Sequence, residues 1–208
     1  MIVAITQRID EFRGISEIRD SIDQSLARWV FSCGMLPYPV PNMLVNLSSP
    51  GADEACPLVD WLTVLSPSAI ILSGGNDIGL APSRDKTEAI LLKWAAIHRL
   101  PLLGICRGMQ MMAHYAGGAL HPVEGHVRKR HILNGEGHDW PKEVNSFHKW
   151  GILECPLGYE KLAVAKDGTI EAFRHIDLPW EGWMWHPERE QFYSDFDTRR
   201  LKRLFNEY

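Results

Sequence analysis

A cysteine stands between a short apolar run and a helix-like segment, flanked by glycines two positions before and two positions after it. Residues 101–105 have the length and apolar character of a buried strand, and residues 107–116 have helical spacing that ends at a glycine pair. Gly104 and Gly108 relieve crowding in the sharp turn at Cys106. The chain is therefore restricted to folds in which a strand leads directly into a helix, and the segment predicts a nucleophile elbow that carries a thiol.

Strand-like and helix-like segments alternate along this first part of the chain. Strands are predicted at residues 3–6, 69–72 and 101–105, with an irregular edge strand at 35–40. Helices are predicted at residues 16–33, 59–65, 85–99 and 107–116, and residues 42–57 are predicted to form a loop. This alternation indicates an α/β fold with a mostly parallel central sheet flanked by helices on both faces.

Short extended segments dominate after residue 120, and they predict an antiparallel C-terminal extension of the sheet. These segments are residues 143–146, 162–165, 170–174 and 182–185. A final amphipathic helix is predicted at residues 195–205, whereas residues 121–141 carry no pattern that we can interpret.

Length and charge set further limits on what the chain can be. With 208 residues it suits one compact domain, predicted over residues 1–208. The net charge is −4 and the longest basic run is Arg128–Arg130, so neither a nucleic-acid nor a membrane partner is expected. The first residues predict a strand instead of a signal peptide, and no apolar run approaches membrane-spanning length, so a cytoplasmic location is expected.

The four cysteines are widely scattered and form no pair with metal-ligand spacing. Neither a zinc site nor a disulfide framework is indicated, and no metal or organic cofactor is expected. Cys106 differs from Cys33, Cys56 and Cys155 through its strand–turn–helix context. The N–H groups and positive dipole of a helix N-terminus favour a thiolate, and the Arg107 N–H is placed to donate to an oxyanion. The alternative is that Cys106 is a small buried apolar residue.

A thiolate nucleophile needs a base, and the sequence offers one histidine with a carboxylate beside it. His186 directly follows a strand-like run, Pro187 forces a turn, and Glu188 can then orient the imidazole. Taken alone, this tripeptide could equally occur by chance. Together with the elbow, it predicts Cys106, His186 and Glu188 as catalytic residues.

Residues 73–77 form a glycine-containing loop at the end of a predicted strand. The simple interpretation is a plain turn, and the functional one is that the Gly75 N–H is a second oxyanion donor. A phosphate loop is disfavoured because the Walker lysine and its spacing are absent. Ligand sites in open α/β sheets lie beyond the carboxyl ends of strands, so this loop and residues 106–110 should be neighbours.

These motifs, in this order, resemble the class I glutamine amidotransferase superfamily. The resemblance rests on residues 73–77, 104–110, 145–148 and 185–188. It implies the triad named above and an oxyanion hole made by the backbone of Gly75 and Arg107. It also implies substrate-binding positions for the glutamyl group, which are Gly74, Asn76, Gln110, Asn145, Ser146, Phe147 and His148.

Within this superfamily, domains that deliver ammonia usually carry an apolar residue directly after the nucleophilic cysteine. This chain has Arg107 at that position, so it resembles the γ-glutamyl hydrolase branch, peptidase family C26, more than those domains. Residues 71–77, 165–173 and 186–190 are similar to enzymes that hydrolyse γ-glutamyl-CDP-amidate in capsule biosynthesis. The implied reaction passes through a thioester and releases glutamate and an amine or amidate from a small-molecule substrate. The sequence is also compatible with a homodimer.

Two alternatives remain open at this stage. The chain could be a glutaminase subunit that delivers ammonia to a partner synthetase. It could also be a catalytically silent scaffold protein that keeps the fold, although an intact triad speaks against that interpretation.

Overall fold

A computed structural model of the chain describes residues 1–47, 56–135 and 140–206. Strands β1 to β14 run, in chain order, over Ile2–Ile5, Arg8–Phe12, Glu17–Ser21, Leu36–Pro39, Ala69–Leu72, Leu102–Ile105, His121–Pro122, Val127–Ile132, Asn134–Gly135, Glu143–Phe147, Trp150–Gly151, Tyr159–Val164, Ile170–His175 and Trp180–Trp183. Helices α1 to α5 run over Gln24–Ser32, Pro57–Leu65, Pro82–His98, Arg107–Tyr115 and Asp195–Asn206.

An eight-stranded sheet forms the centre of the molecule, in the order β4–β1–β5–β6–β14–β13–β12–β9. The first five strands of this order pair in parallel, and β13, β12 and β9 continue the sheet in antiparallel fashion. This arrangement confirms the predicted mostly parallel sheet with an antiparallel extension. The Pro-containing strand β4 lies at the edge, as its prolines require.

Both faces of the sheet are covered by helices, as predicted. Alternate strand residues point to opposite faces: Ile70 and Leu72 pack with residues of α2, α3 and α4, while Ala69 and Ile71 pack with residues of α1 and α5. All four of these strand residues are fully buried. A sheet buried on both faces explains why its central strands are continuously apolar in sequence.

The prediction of one helix over residues 16–33 is wrong in its first half. Strands β2 and β3 form an antiparallel hairpin, and α1 begins only after Asp23, whose carboxylate accepts from the Ser25 N–H at 2.8 Å. Ile18 fits the helical spacing but is 67% exposed, so it belongs to no buried stripe. Charged residues two positions apart, Arg8 and Asp10 in one strand and Glu17 and Arg19 in the other, share a face of the hairpin, and an ion pair joins Arg19 to Glu17 at 2.7 Å. Such two-residue alternation is typical of a strand with solvent on its faces.

Two of the late extended segments have partners other than those predicted. Residues 182–185 are predicted in the antiparallel extension, but β14 pairs in parallel with β6 on one side and antiparallel with β13 on the other. Residues 143–146 lie in β10, which pairs with β8 in a separate two-stranded ribbon instead of extending the central sheet. Strand type and partner depend on long-range contacts, which local patterns do not encode.

Several boundaries differ from prediction by a few residues. Helix α3 begins at Pro82, three positions before the predicted start at residue 85, because proline is well tolerated in a first helical turn. Part of the predicted loop at residues 42–57 is a 3₁₀ turn, Asn42–Leu44, and residues 48–55 lie outside the described part. Among the helices of the described residues, none has the length and apolar character needed to span a bilayer.

Candidate active site

Cys106 occupies the sharp turn between β6 and α4, and its backbone is in an unusual conformation. Its φ is 50° and its ψ is −105°, a region that residues with a Cβ atom rarely adopt. A Cβ atom on Gly108 would collide with the Leu72 carbonyl, and one on Gly104 would lie 2.7 Å from the backbone of Gly108. The two glycines therefore permit the close approach of α4 to β5 and β6 that the predicted elbow requires.

His186 and Glu188 lie beside this thiol. The 3₁₀ turn Pro187–Arg189 folds the carboxylate back onto the imidazole, and His186 Nδ1 is 2.6 Å from Glu188 Oε1. The Cys106 sulfur lies close enough to the ring to raise the pKa of His186. All three side chains are buried, with exposed fractions of 7% or less. The structure thus brings the three sequence-predicted residues into one continuous chain of contacts.

The environment of His186 alters its protonation. Burial acts to lower its pKa, but the neighbouring Cys106 sulfur and Glu188 carboxylate outweigh burial and raise that pKa to about 10. At neutral pH the imidazole therefore holds a proton. A protonated imidazole beside a thiolate is the starting arrangement of a cysteine nucleophile.

Asn145 fixes the backbone at His186. Its Nδ2 donates to the His186 carbonyl at 2.7 Å, and its Oδ1 accepts from the His186 N–H at 2.9 Å. Nδ2 also lies 2.8 Å from Glu190 Oε1. The sequence motifs assign this residue to substrate binding and give no sign of this use of its side chain.

The glycine loop after β5 approaches the same ring. A Cβ atom on Gly74 would stand 2.7 Å from His186 Cε1, so only glycine allows the imidazole so close. The fully buried guanidinium of Arg84 donates from Nη2 to the Ser73 carbonyl at 2.7 Å and to the Gly74 carbonyl at 3.0 Å. Because a trans peptide places its N–H opposite its C=O, the Gly75 N–H points away from Arg84.

A buried ion-pair network supports this loop, and sequence reasoning missed it. Arg84 Nε is 3.0 Å from Glu88 Oε1, Thr6 Oγ1 donates to the same oxygen at 2.9 Å, and Arg107 forms ion pairs with Asp85 and Glu88. Burial lowers the pKa of Arg84 to about 10 and that of Arg107 to about 9. The opposite charges four residues apart at Arg84 and Glu88 were the available signal, although Arg84 lies one position before the helix predicted at residues 85–99.

The two predicted loops are neighbours, as expected. Arg107 Nε donates to the Asn76 carbonyl at 3.0 Å, which ties the turn after β6 to the loop after β5. The Arg107 N–H belongs to the first turn of α4, where backbone N–H groups have no partner within the helix. Asn76 uses its side chain differently: its Oδ1 accepts from the Ile9 N–H at 2.8 Å, and its Nδ2 donates to the Ile9 carbonyl at 2.9 Å.

The remaining predicted substrate residues lie on different sides of the site. Gln110 Nε2 donates to the Trp150 carbonyl at 2.8 Å, at a cleft that Asp77 also lines. Phe147 meets the His186 ring edge-on at 5.7 Å. Ser146 is buried and donates to the His126 carbonyl at 2.6 Å.

The His148 side chain belongs to a separate group of buried polar side chains. Its Nε2 lies 3.2 Å from His126 Nδ1 and 3.4 Å from Glu171 Oε1. The structure therefore brings Gly74, Gly75, Arg107, Asn145 and Phe147 around the triad, whereas His148 contributes to a second cluster.

Comparison with known proteins agrees with the geometry. The family model described as "Glutamine amidotransferase class-I" matches residues 16–206. The chain belongs to this family. This membership agrees with the resemblance carried by its sequence motifs.

Individual relatives differ in what they do. A γ-glutamyl-CDP-amidate hydrolase from Campylobacter jejuni is 40% identical over 131 residues, covering 59% of this chain and 62% of the relative. One of the subunits of a glutamine-hydrolysing GMP synthase from Methanococcus aeolicus is 35% identical over 126 residues, covering 57% of this chain and 63% of the relative. The matched region thus spans under two thirds of these relatives.

One solved structure, a Thermoplasma acidophilum protein provisionally assigned as a GMP synthase component, superposes with a TM-score of 0.72. The superposition covers 100% of this chain and 95% of that chain at 18% sequence identity. Likeness at this level of identity concerns the fold alone.

Proposed function

We propose that the chain is a γ-glutamyl amide hydrolase with Cys106 as nucleophile, His186 as acid and base, and Glu188 as the residue that orients the imidazole. The observation that carries the proposal is the continuous contact from the Cys106 sulfur through the His186 ring to the Glu188 carboxylate. A buried thiol, imidazole and carboxylate in this order match the requirements of acyl transfer.

The reaction proceeds in two steps. The Cys106 thiolate attacks the γ-carbonyl carbon, and the C–N bond breaks as the His186 imidazolium gives its proton to the leaving nitrogen. This step leaves a γ-glutamyl thioester. Water then attacks the thioester while neutral His186 accepts its proton, the C–S bond breaks, and glutamate leaves with the thiolate restored.

Backbone N–H groups of Gly75 and Arg107 are the proposed oxyanion donors. The Gly75 N–H is aimed by the hydrogen bond from Arg84 to the Gly74 carbonyl, and the Arg107 N–H belongs to the start of α4. One such donor is worth about 3 kcal/mol of transition-state stabilisation. The glutamyl group is proposed to contact Gly74, Asn76, Gln110 and residues 145–148, as the family resemblance implies.

The leaving group is proposed to be anionic, with γ-glutamyl-CDP-amidate as the specific substrate. A cleft beside Gly75 and His186 is lined by the guanidinium groups of Arg8 and Arg189 and by three carboxylates, those of Asp10, Asp23 and Glu188, and Arg8 is paired with Asp10 at 2.8 Å. Both arginines are partly exposed, with side-chain exposed fractions of 53% and 36%. Guanidinium groups bind phosphate oxygens strongly, so Arg8 and Arg189 are the proposed contacts of the diphosphate, with Arg8 exchanging its Asp10 partner for a phosphate oxygen. The 40% identical relative that carries the name of this activity supports the same substrate.

A second function, glutamine hydrolysis with delivery of ammonia to a synthetase, is favoured by one observation. A relative that is 35% identical belongs to a glutamine-hydrolysing GMP synthase. The two functions share the first covalent step and differ in whether the isolated chain is active and in what it accepts. Under the first function, we propose that residues 1–208 form one domain and that the protein acts in the cytoplasm. It would then need no synthetase partner.

A substrate panel tests the proposal. Purified full-length chain is incubated with γ-glutamyl-CDP-amidate, glutamine, γ-glutamyl-aminobutyrate or a γ-glutamyl polyamine, and glutamate release is measured. We expect the highest kcat/KM with γ-glutamyl-CDP-amidate and no turnover by Cys106→Ser. Glutamine hydrolysis seen only after a synthetase is added would support the second function. An active Cys106→Ser protein would overturn both.

The proposed diphosphate contact has a matched control. Arg8→Met and Arg189→Met should each raise KM for γ-glutamyl-CDP-amidate about tenfold, because each removes a charge-assisted contact, and should leave γ-glutamyl-aminobutyrate unaffected. Arg13→Met changes an arginine in the turn of the same hairpin whose side chain is 92% exposed, and should alter neither KM. If all three substitutions changed KM by the same factor, Arg8 and Arg189 would not bind the phosphate groups of the substrate.

A further inference from the structure

Three histidines and a glutamate meet on the far side of the residue 145–148 segment. His126, His131, His148 and Glu171 each offer one ligand atom, and these four atoms lie within 4.8 Å of one another. His126, His148 and Glu171 are nearly inaccessible, with exposed fractions of 2%, 3% and 0%, and His131 is partly buried. The family resemblance assigns no role to three of the four.

The outer nitrogen atoms of two of these rings are already held. His126 Nε2 lies 2.7 Å from Asp167 Oδ2, and His148 Nδ1 lies 3.0 Å from the Trp150 carbonyl oxygen. A ring nitrogen that donates to a carboxylate or carbonyl leaves the other nitrogen with its lone pair. When both rings are neutral, these contacts leave lone pairs on Nδ1 of His126 and Nε2 of His148, and the two atoms lie 3.2 Å apart.

Glu171 completes the arrangement from β13. Its carboxylate is fully buried, and neither oxygen accepts a hydrogen bond from the residues that the structure describes. Oε1 lies 3.5 Å from His126 Nδ1 and 3.4 Å from His148 Nε2, at contact distance to both. His131 Nε2 is likewise buried without a hydrogen-bond partner among the described residues. Burying polar atoms without a partner destabilises the folded state unless a ligand or an ion binds them.

We propose that this cluster is a structural zinc-type site with His126, His131, His148 and Glu171 as ligands. When metal–ligand bonds are about 2.0 Å long and tetrahedral, the ligand atoms lie about 3.3 Å from one another. The separations of 3.2, 3.4 and 3.5 Å among three of the atoms match this value. Imidazole nitrogen and carboxylate oxygen are ligands that zinc accepts, and the carboxylates of Glu171 and Asp167 balance its charge.

The ligand set assigns the ion a positioning role. Four protein ligands leave no open position for water, so the ion would take no part in hydrolysis. Its effect would reach the active site through the chain: His148 follows Phe147, whose ring contacts His186, and the Trp150 carbonyl accepts from both His148 and Gln110. A bound ion would therefore hold the proposed glutamyl-binding segment in place.

Metal binding is best measured in a Cys106→Ser background, because the Cys106 thiolate and His186 can themselves bind zinc. The full chain is stripped with a chelator and titrated with Co²⁺ and with Zn²⁺. We expect about one ion per chain, visible-region Co²⁺ bands of tetrahedral intensity that Zn²⁺ displaces, and a higher Tm with metal.

Variants then locate the ion. Glu171→Gln and His148→Ala should each abolish the tetrahedral Co²⁺ bands, and Asp167→Asn should weaken binding about 10- to 100-fold through the outer contact to His126. His98→Ala alters an exposed histidine on α3 and should bind normally. Circular dichroism checks that each variant is folded.

Two results would overturn the proposal. One is stripped protein that binds neither ion near one equivalent and keeps the same Tm. The other is Co²⁺ spectra that are unchanged in folded Glu171→Gln and His148→Ala proteins. In that case the four side chains would form a proton-sharing cluster without a metal.

Discussion

The side-chain amide of Asn145 binds both backbone polar groups of His186, donating to the carbonyl at 2.7 Å and accepting from the N–H at 2.9 Å. This double contact joins β10 of the small ribbon to the end of β14 in the central sheet. The position of the imidazole therefore depends on a residue outside the sheet that carries it.

Asn145→Asp should lower activity while the fold is kept. The carboxylate can still accept from the His186 N–H, but it faces the His186 carbonyl and Glu190 without a hydrogen to donate. We expect kcat to fall about 10- to 100-fold, since small displacements of a catalytic group have effects of this size. Asn206→Asp alters an exposed amide that donates to a backbone carbonyl, and it should leave kcat unchanged. Equal kcat values for Asn145→Asp and wild type would contradict this positioning role.

Arg84→Lys tests whether the buried guanidinium aims the Gly75 N–H. A lysine cannot reach the Ser73 and Gly74 carbonyls and Glu88 at once, so the loop should lose its orientation. We expect about a 100-fold loss of kcat, and a loss of about 3 kcal/mol in unfolding free energy measured with urea. Arg99→Lys changes an exposed arginine that also donates to a carbonyl, and both quantities should stay near wild type.

Comparing Gly75→Ala with Gly79→Ala distinguishes the effect of a steric clash from the effect of a positive φ. The φ of Gly75 is 136°, and an added Cβ would collide with the Arg84 guanidinium and lie 2.9 Å from the Arg8 Cβ. We expect kcat to fall about 100- to 1000-fold as the N–H is displaced. At Gly79 the φ is also positive, at 90°, but a Cβ would meet open space. Gly79→Ala should cost about 1 kcal/mol of stability with unchanged kcat; a matching loss of kcat there would point to general strain in the loop.

The protonation of His186 predicts a defined pH dependence. An unfolded histidine has a pKa of about 6.5, and the folded value is about 10, so the folded state holds an extra proton between these pH values. The resulting stabilisation is fully present below pH ~6.5 and is lost as pH rises toward about 10. Tm of the wild type should fall across that window.

Cys106→Ala should reduce this effect, because the sulfur raises the pKa of His186. Nitrogen-15 NMR of the imidazole should find His186 protonated at pH 8 in the wild type and titrating at a lower pH in Cys106→Ala. The exposed His98 serves as an internal reference, and its imidazole signals should be the same in the wild type and in Cys106→Ala. A wild-type His186 that loses its proton near pH 6.5 would contradict the proposed ion pair.

Much of the fold followed from local patterns. The buried strands β5 and β6 are short apolar runs bounded by breakers, and α4 follows Cys106 directly, so their type and order were predictable. The hairpin of β2 and β3 was not, because Ile18 and Ile22 fall at helical spacing by coincidence while long-range docking through Asn76 holds the hairpin. Local patterns carry no record of such docking.

In the active site too, some residues were predictable from local sequence patterns and others were not. Cys106, His186 and Glu188 sit in sequence motifs whose geometry is short-range, and the structure places them in contact. Arg84 and the Asn145 contact to His186 depend on side chains that meet only after folding. The histidine cluster draws on residues spread from 126 to 171, and the sequence expectation of no metal, based on cysteine spacing, did not address it.

Strand β14 pairs in parallel with β6, in a register that aligns Trp183 with Ile105. Cys106 directly follows Ile105 and His186 lies three residues after Trp183, so main-chain pairing at the middle of the sheet brings the two catalytic segments together, and Asn145 then holds His186 in place. Insertions in surface loops can therefore change which substrates bind without altering the relative position of Cys106 and His186. Substrate specificity and catalytic activity can therefore change independently during evolution, because they depend on different parts of this fold.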